Sequence, residues 1–305
     1  MSIFPTKILL ATDGSEGAEL AATNALVLAR QTGSELHLVH VLSLPLDTQD
    51  PSSFEPDVRR QLEGRTRARL EELVEKIEAS RGEIGGSHSR VGRPDAEIID
   101  QAELIGAGLI VMGSRGFGPI RRALMGSVSD SVVRHAHCPV MVVREGAAGF
   151  PGRILLATDA SEEARLAATT AADVAERTGS ELHVAYVGEV RSIYHPERHG
   201  YLARYEELRE EAQRLLEGQV EQIKAARGMV AGSYLGMGRP DEGIVVLGQE
   251  IGAGLIVMGS RGMGGIRRAL MGSVSDSVVR HAHCPVMVVR TEKSRSVDHE
   301  GDFLT

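Results

Sequence analysis

Cysteine is nearly absent: Cys138 and Cys284 are the only two, and they occupy equivalent places of an internal repeat. Two thiols cannot form the disulfide framework of a small secreted fold, so a reducing, cytoplasmic compartment is expected. Long apolar runs are missing as well. Nothing approaches the roughly 20 residues of a membrane-spanning helix, and the short run at 8–11 behind Lys7 is too brief for a signal-peptide core and reads as a strand. Positive charge is in deficit, 34 Lys plus Arg against 42 Asp plus Glu, and the net charge of -8 argues against generic binding to nucleic acid or anionic membrane. The dipeptide Gly-Lys never occurs, which excludes a P-loop. The first apolar run is followed by Asp13-Gly14-Ser15, not by the G-x-G-x-x-G of a dinucleotide fold.

Glycine, by contrast, is abundant at 35 residues, so many close turns are expected. Gly113-x-x-Gly116, nine residues, then Gly126-Ser127 returns as Gly259-x-x-Gly262, nine residues, then Gly272-Ser273. Residues 105–144 and 251–290 differ only at Phe117/Met263 and Pro119/Gly265, and Ala11-Thr12-Asp13-Gly14-Ser15 returns as Ala157-Thr158-Asp159-Ala160-Ser161. A chain of 305 residues is long enough for two domains of about 150. The repeat sets them at 1–146 and 151–291, leaving 292–305 as a polar tail expected to be disordered. Whatever one copy binds, the chain has two places to bind it.

In the first copy, 7–11 reads as a buried strand ending at a helix cap, and Ala18, Ala21, Ala22, Ala25, Leu26 and Ala29 lie at helical spacing until Gly33. A second strand at 36–42 leads into a Pro-, Asp- and Ser-rich loop at 44–54. Val58, Leu62, Leu70, Leu73, Val74 and Ile77 then mark a long helix whose charged face is a solvated surface. A strand at 87–91, a helix beginning at Pro94, a strand at 109–112, a helix at 127–136 and a strand at 140–143 complete the unit. The second copy places strands near 153–157, 181–187, 233–237, 255–258 and 286–289, with a loop-like stretch at 192–200. Strands that are apolar throughout and alternate with helices predict an α/β fold, a parallel sheet covered on both faces.

Open parallel sheets bind ligands beyond the carboxyl ends of their strands. Gly113 stands at such an end; Gly113 and Gly116 leave the backbone bare for a polyanion, and Gly126-Ser127 opens a helix whose free N–H groups favour phosphate. A structural alternative stays open: the glycines only make turns, and Ser127 caps the helix with Asp130 completing a capping box. Arg115, Arg121 and Arg122, with Arg261, Arg267 and Arg268, flank the segment and suit either phosphate or a surface role. His135-Ala-His137-Cys138 cannot readily wrap a tetrahedral ion, so no metal site is expected.

A first strand ending in Thr12-Asp13, an aliphatic second strand ending in His40-Val41, and Gly-x2-Gly-x9-Gly-Ser after the fourth strand together resemble the ATP-binding class of the universal stress protein family. Gly92-Arg93-Pro94 and Cys138-Pro139 are also similar to it, and the resemblance spans 5–144 and 151–290. It implies two tandem five-stranded parallel sheets of strand order 3-2-1-4-5, each a nucleotide-binding fold, acting in stress response by nucleotide-dependent regulation rather than catalysis. Asp13 and Val41, with Asp159 and Val187, would hold the adenosine part. Phosphate and ribose would fall on Met112, Gly113, Gly116, Gly126, Ser127 and Val128, and on Met258, Gly259, Gly262, Gly272, Ser273 and Val274. The implied ligand is ATP, with magnesium accompanying it. Some relatives have Pro where this chain has Ala11 and Ala157, which alters the adenosine pocket. The last strands of the two copies would pair antiparallel into an internal pseudo-dimer, with the two cradles facing each other's domain and Cys138 far from Cys284. A homodimer and a regulatory protein partner are further expectations; a weak ATPase and a scaffold that binds no nucleotide are the alternatives. Pro119 against Gly264-Gly265, and Gly14 against Ala160, predict unequal affinities in the two copies.

Overall fold

The computed structural model describes residues 6–44, 54–79, 83–116, 125–144, 150–189, 201–226, 228–262 and 271–290. The first copy runs β1 (Lys7–Ala11), α1 (Glu16–Thr32), β2 (Glu35–Ser43), α2 (Pro56–Ala79), β3 (Gly86–Gly92), α3 (Pro94–Ile105), β4 (Leu109–Gly113), α4 (Ser127–His135) and β5 (Val140–Val143). The second repeats it as β6 (Arg153–Ala157), α5 (Glu162–Thr178), β7 (Glu181–Glu189), α6 (Tyr201–Ala225), β8 (Gly232–Gly238), α7 (Pro240–Glu250), β9 (Leu255–Gly259), α8 (Ser273–His281) and β10 (Val286–Val289). β2 is longer than its apolar run because its ladder with β3 continues from His37 opposite Gly86 to Ser43 opposite Gly92. The tail at 292–305, most of the loops expected at 44–54 and 192–200, and Arg121, Arg122, Arg267, Arg268, Pro119, Gly264 and Gly265 lie outside the described residues.

Local chemistry fixes where the elements begin and end. Ser15 caps α1 by accepting from the Ala18 N–H at 3.3 Å, and Gly33 closes it in the left-handed region at φ 70°, a conformation glycine adopts without a Cβ clash. Pro94 opens α3, where its missing N–H leaves no helical bond unmade. The inward face of α1 is small (Ala18, Ala21, Ala25 and Ala29), so the helix lies close against β4, and α5 repeats the arrangement with Ala164, Ala167, Ala168 and Ala171.

All ten strands form one sheet in the order β3-β2-β1-β4-β5-β10-β9-β6-β7-β8, which is 3-2-1-4-5 twice over, joined at β5 and β10. Every pairing is parallel except that join, where Val140 faces Val288 and Val142 faces Val286. Met141 faces Met287 there, and the two are repeat equivalents, so the pseudo-twofold passes between them. One apolar layer packs α1, α2, α5 and α6 on one face of the sheet, and a second packs α3, α4, α7 and α8 on the other; both run without a break from one copy into the next.

Polar contacts reinforce the join. Arg134 pairs with Asp276 of the other copy at 2.7 Å, Arg280 pairs with Asp130 at 2.8 Å, and each arginine also bonds the aspartate one turn before it on its own helix. These bonds hold both guanidinium groups above their usual range, Asp130 acting first on Arg134 and Asp276 first on Arg280. Arg290 donates to the Val133 and Arg134 carbonyls, and Arg144 to those of Val279 and Arg280, which satisfies helix-end acceptors of the partner copy. The capping box considered for Asp130 is therefore not formed: its carboxylate bridges the two copies. Cys138 and Cys284 lie at opposite ends of the β5–β10 ladder and form no disulfide, with burial pushing the Cys284 thiol up to about 12.

The antiparallel join is the one the resemblance implies. β4 and β9 therefore run in opposite directions, and their carboxyl ends lie at opposite strand ends of the sheet.

Candidate functional site

Chain order reverses between β1 and β4, with β2 and β3 to one side and β5 to the other. Ala11 of β1 pairs with Val39 of β2 and with Met112 of β4, so Asp13, Val41 and Gly113 all emerge at one end of three adjacent strands. His40 steadies this end, its Nδ1–H donating to the Thr12 carbonyl at 2.9 Å. Tyr186 stands in its place in the second copy; burial there, then Asp159 and Glu211, raise the phenol above its ordinary range.

Asp13 leads into α1 and accepts the Ser15 N–H on Oδ1 at 3.0 Å. Its other oxygen lies over Gly116, so close that a Cβ at Gly116 would stand 2.1 Å from it. Asp159 and Gly262 repeat the arrangement, with Ser161 N–H to Oδ1 at 3.0 Å and a Cβ-to-carboxylate approach of 2.2 Å. At Gly113 a Cβ would meet the backbone of Gly17 at 2.8 Å, so this glycine also lets β4 lie against the first turn of α1. Gly259 meets Glu163 in the same way at 3.0 Å.

The far end of the glycine segment is clamped to its near end. Gly126 N–H donates to the Ser114 carbonyl at 2.8 Å, and the buried Ser129 hydroxyl donates to the same carbonyl at 2.9 Å. Ser260, Gly272 and Ser275 reproduce the clamp. Gly126, not Ser127, is the N-cap of α4, and it offers no side-chain oxygen to the first-turn N–H groups. Those groups, and the exposed Ser127 at the first helical position, face the mouth of the segment without an internal acceptor from the cap, a disposition that favours an anion. Gly272 and Ser273 stand likewise at α8. Beneath lies an apolar floor shared by Met112, Val41 and Val128, matched by Met258, Val187 and Val274.

α4 is held in place through the Gly-Arg-Pro-Asp turn. Ser131 donates to Asp95 at 2.6 Å and Arg93 to the same carboxylate at 2.8 Å. Burial would raise Asp95, but the bonds from Arg93 and Ser131 outweigh it and hold the carboxyl below its usual range.

Of the residues expected at the site, Asp13, Val41, Met112, Gly113, Gly116, Gly126, Ser127 and Val128 lie about the carboxyl ends of β1, β2 and β4, and Gly113 also serves the packing against α1. Ser129 and Ser275, which close the segment, were missed, although their place three residues after Gly126 and Gly272 recurs in both copies. Glu163 was missed too; reading the repeat for where it breaks would have found it, since Gly17 is its equivalent. His137 is drawn to Glu103 at 2.7 Å, and among the described residues no group of three His, Cys, Asp or Glu side chains could hold a metal ion. No described helix is long and apolar enough to cross a membrane.

Ala160 is the one described non-glycine residue in the left-handed region, at φ 63°, where Gly14 takes φ 83° in the first copy. A left-handed alanine costs roughly 1–2 kcal/mol, partly offset by the smaller unfolded-state entropy of alanine relative to glycine. Ala160→Gly is expected to stabilise the protein by about 0.5–1 kcal/mol. A urea midpoint that fell would show that this turn carries no strain.

A sheet with reversed chain order, a glycine segment clamped end to end at the reversal and an uncapped helix beyond it define a tandem α/β protein with a topological switch point in each copy. The chain belongs to the universal stress protein family, which its sequence matches over residues 5–144 and 151–290. It is similar to the universal stress protein Rv2005c of Mycobacterium tuberculosis, 28% identical over 302 residues that cover 93% of this chain and 96% of that one. A universal stress protein of Methanocaldococcus jannaschii, MJ0531, is 33% identical over 142 residues, 46% of this chain and 82% of the relative. Among solved structures, a universal stress protein from Archaeoglobus fulgidus aligns over 93% of this chain and 98% of its own, with 27% identity and a TM-score of 0.67.

Proposed function

We propose that each domain binds ATP and that the protein acts in stress response by nucleotide-dependent regulation, not by turnover. The observation that carries this reading is the uncapped first turn of α4 above the clamped glycine segment, where Gly116 leaves room against Asp13. Phosphates would lie on the N–H groups of α4 with the Ser127 hydroxyl, and the adenosine part between Asp13, Val41 and the Met112–Val128 floor; the second copy offers Asp159, Val187, Met258, Gly262, Gly272, Ser273 and Val274. ATP, with accompanying magnesium, would supply the negative charge that the first-turn N–H groups of α4 and the Ser127 hydroxyl are placed to receive. Asp13 and Ser129 are already engaged with Ser15 N–H and the Ser114 carbonyl, roles of shape rather than of proton transfer. Membership of the family supports a regulatory role in a soluble, cytoplasmic setting. The output would be a surface recognised by a partner protein or by a second copy of the chain.

Equilibrium dialysis of the full chain against ATP tests the reading. Uptake should approach two nucleotides per chain at saturation, and no uptake at millimolar ATP would overturn it.

A further inference from the structure

The two copies are nearly identical from β4 onwards, yet the arginine inside the glycine segment is treated oppositely in each. In the second copy Arg261 is held by Glu163: Nε donates to Glu163 Oε1 at 2.7 Å and Nη2 donates to the same oxygen. Glu163 lies in the first turn of α5 and is only 7% exposed, so this is a largely desolvated ion pair. In the first copy the equivalent of Glu163 is Gly17, which brings no carboxylate. Its backbone comes so near Arg115 that a Cβ there would lie 2.9 Å from the Arg115 carbonyl. Arg115 makes no ion pair or side-chain hydrogen bond among the described residues, and its Nε is sealed from solvent without a partner. A buried donor left unsatisfied is costly and a guanidinium is suited to an anion, and the Arg115 Cα lies 3.7 Å from where a Cβ would stand on Gly126, the N-cap of α4.

We infer that the domains are a strong and a weak polyphosphate site: Arg115 leaves the first with an uncompensated positive charge for a nucleoside triphosphate, and Glu163 neutralises the same arginine in the second. The inference rests on the nucleotide-binding reading above and gives the inequality a direction and a cause. The anion that completes the first site supplies what Glu163 supplies within the second. The protein would therefore hold one nucleotide over a wide range of concentrations and fill its second site only as ATP rises, a graded rather than a simple on–off response.

Calorimetric titration of the full chain with ATP, and in parallel with adenosine, tests this. The first ATP equivalent should bind at least tenfold tighter than the second. Glu163→Gln, which keeps the volume and removes the charge, should tighten the second about tenfold, and Arg115→Ala should weaken the first by a similar factor. Adenosine affinity should change less than twofold in either variant, because the charge acts on phosphate. Equal ATP affinities in the wild-type chain, or a Glu163→Gln variant with an unchanged second site, would overturn the inference while leaving nucleotide binding in place. Absence of ATP uptake in every variant would remove both. If Glu163→Gln does not fold, Arg115→Ala carries the test, since that side chain has no partner to lose among the described residues; an unchanged first site would then count against the inference.

Discussion

Gly116→Ala is expected to abolish tight ATP binding at the first site with little loss of stability, whereas Gly113→Ala, three residues earlier, is expected to destabilise the fold. The difference lies in what a methyl group would meet. At Gly116 it would stand 2.1 Å from Asp13 Oδ2, the far end of a side chain that can swing aside. Swinging aside removes Asp13 from the crevice and fills the space against the glycine segment. A loss of tenfold or more in affinity, about 1.4 kcal/mol or above, should follow, with a change in stability below about 1 kcal/mol. At Gly113 the methyl would meet the Gly17 carbonyl carbon and oxygen at 2.8 Å, and backbone in the first turn of a helix cannot rotate away. α1 must shift off β4, an overpacking cost of roughly 1–3 kcal/mol. Urea denaturation and ATP titration of the two variants decide the matter. Wild-type affinity in Gly116→Ala would show that the segment is not the phosphate cradle, and wild-type stability in Gly113→Ala would show that β4 and α1 are not tightly apposed. Gly262→Ala should behave as Gly116→Ala does, since Asp159 lies 2.2 Å from the corresponding methyl position. Gly259→Ala should be milder than Gly113→Ala, because its nearest neighbours stand at 3.0 Å.

The pair shows how far the sequence reading reached. The spacing of Gly113, Gly116 and Gly126 marked the end of β4 and the start of α4 at the reversal of chain order, since such a junction can be read without coordinates. The division of labour among the glycines left no such trace. Whether a missing Cβ makes room for a ligand or for the chain's own helix depends on a contact with Gly17, far away in sequence. Asp130 is a similar case: three residues after Ser127 it has the spacing of a capping box, but an arginine of the other copy competes for it. The strands themselves were legible because β1, β4, β5 and their repeats are buried on both faces and so are apolar throughout. The ion pairs between the copies were not, because they depend on the register of a single antiparallel join between strands of four residues each.

Met141→Glu should be severely destabilising, because Met141 stands at the centre of that join. Met141 has no exposed surface, lies opposite Met287 on the pseudo-twofold, and belongs to the apolar layer shared by α1 and α5. A carboxylate there has no water and no cation facing it in the ladder, and a penalty above about 4 kcal/mol is expected at neutral pH. Met141→Leu, which keeps volume and apolarity, should cost less than about 1.5 kcal/mol. The penalty should also depend on pH with a definite sign. Burial raises the folded-state pKa of the introduced carboxyl above its unfolded value near roughly 4.3. Below that value both states are protonated and the charge penalty vanishes; as pH rises through it the unfolded chain ionises first, so stability falls with increasing pH. Urea midpoints at pH 5 and pH 8, measured relative to the wild-type chain, should therefore lie closer together at the lower pH, and a pH-independent difference would place the residue in contact with solvent. The wild-type chain should unfold in one transition, because neither apolar layer is interrupted between the copies. In the Met141→Glu variant the introduced carboxylate splits the join. Each half then retains its own α/β layers but loses the neighbour against which β5 or β10 is covered, so two transitions at lower urea are expected in place of one.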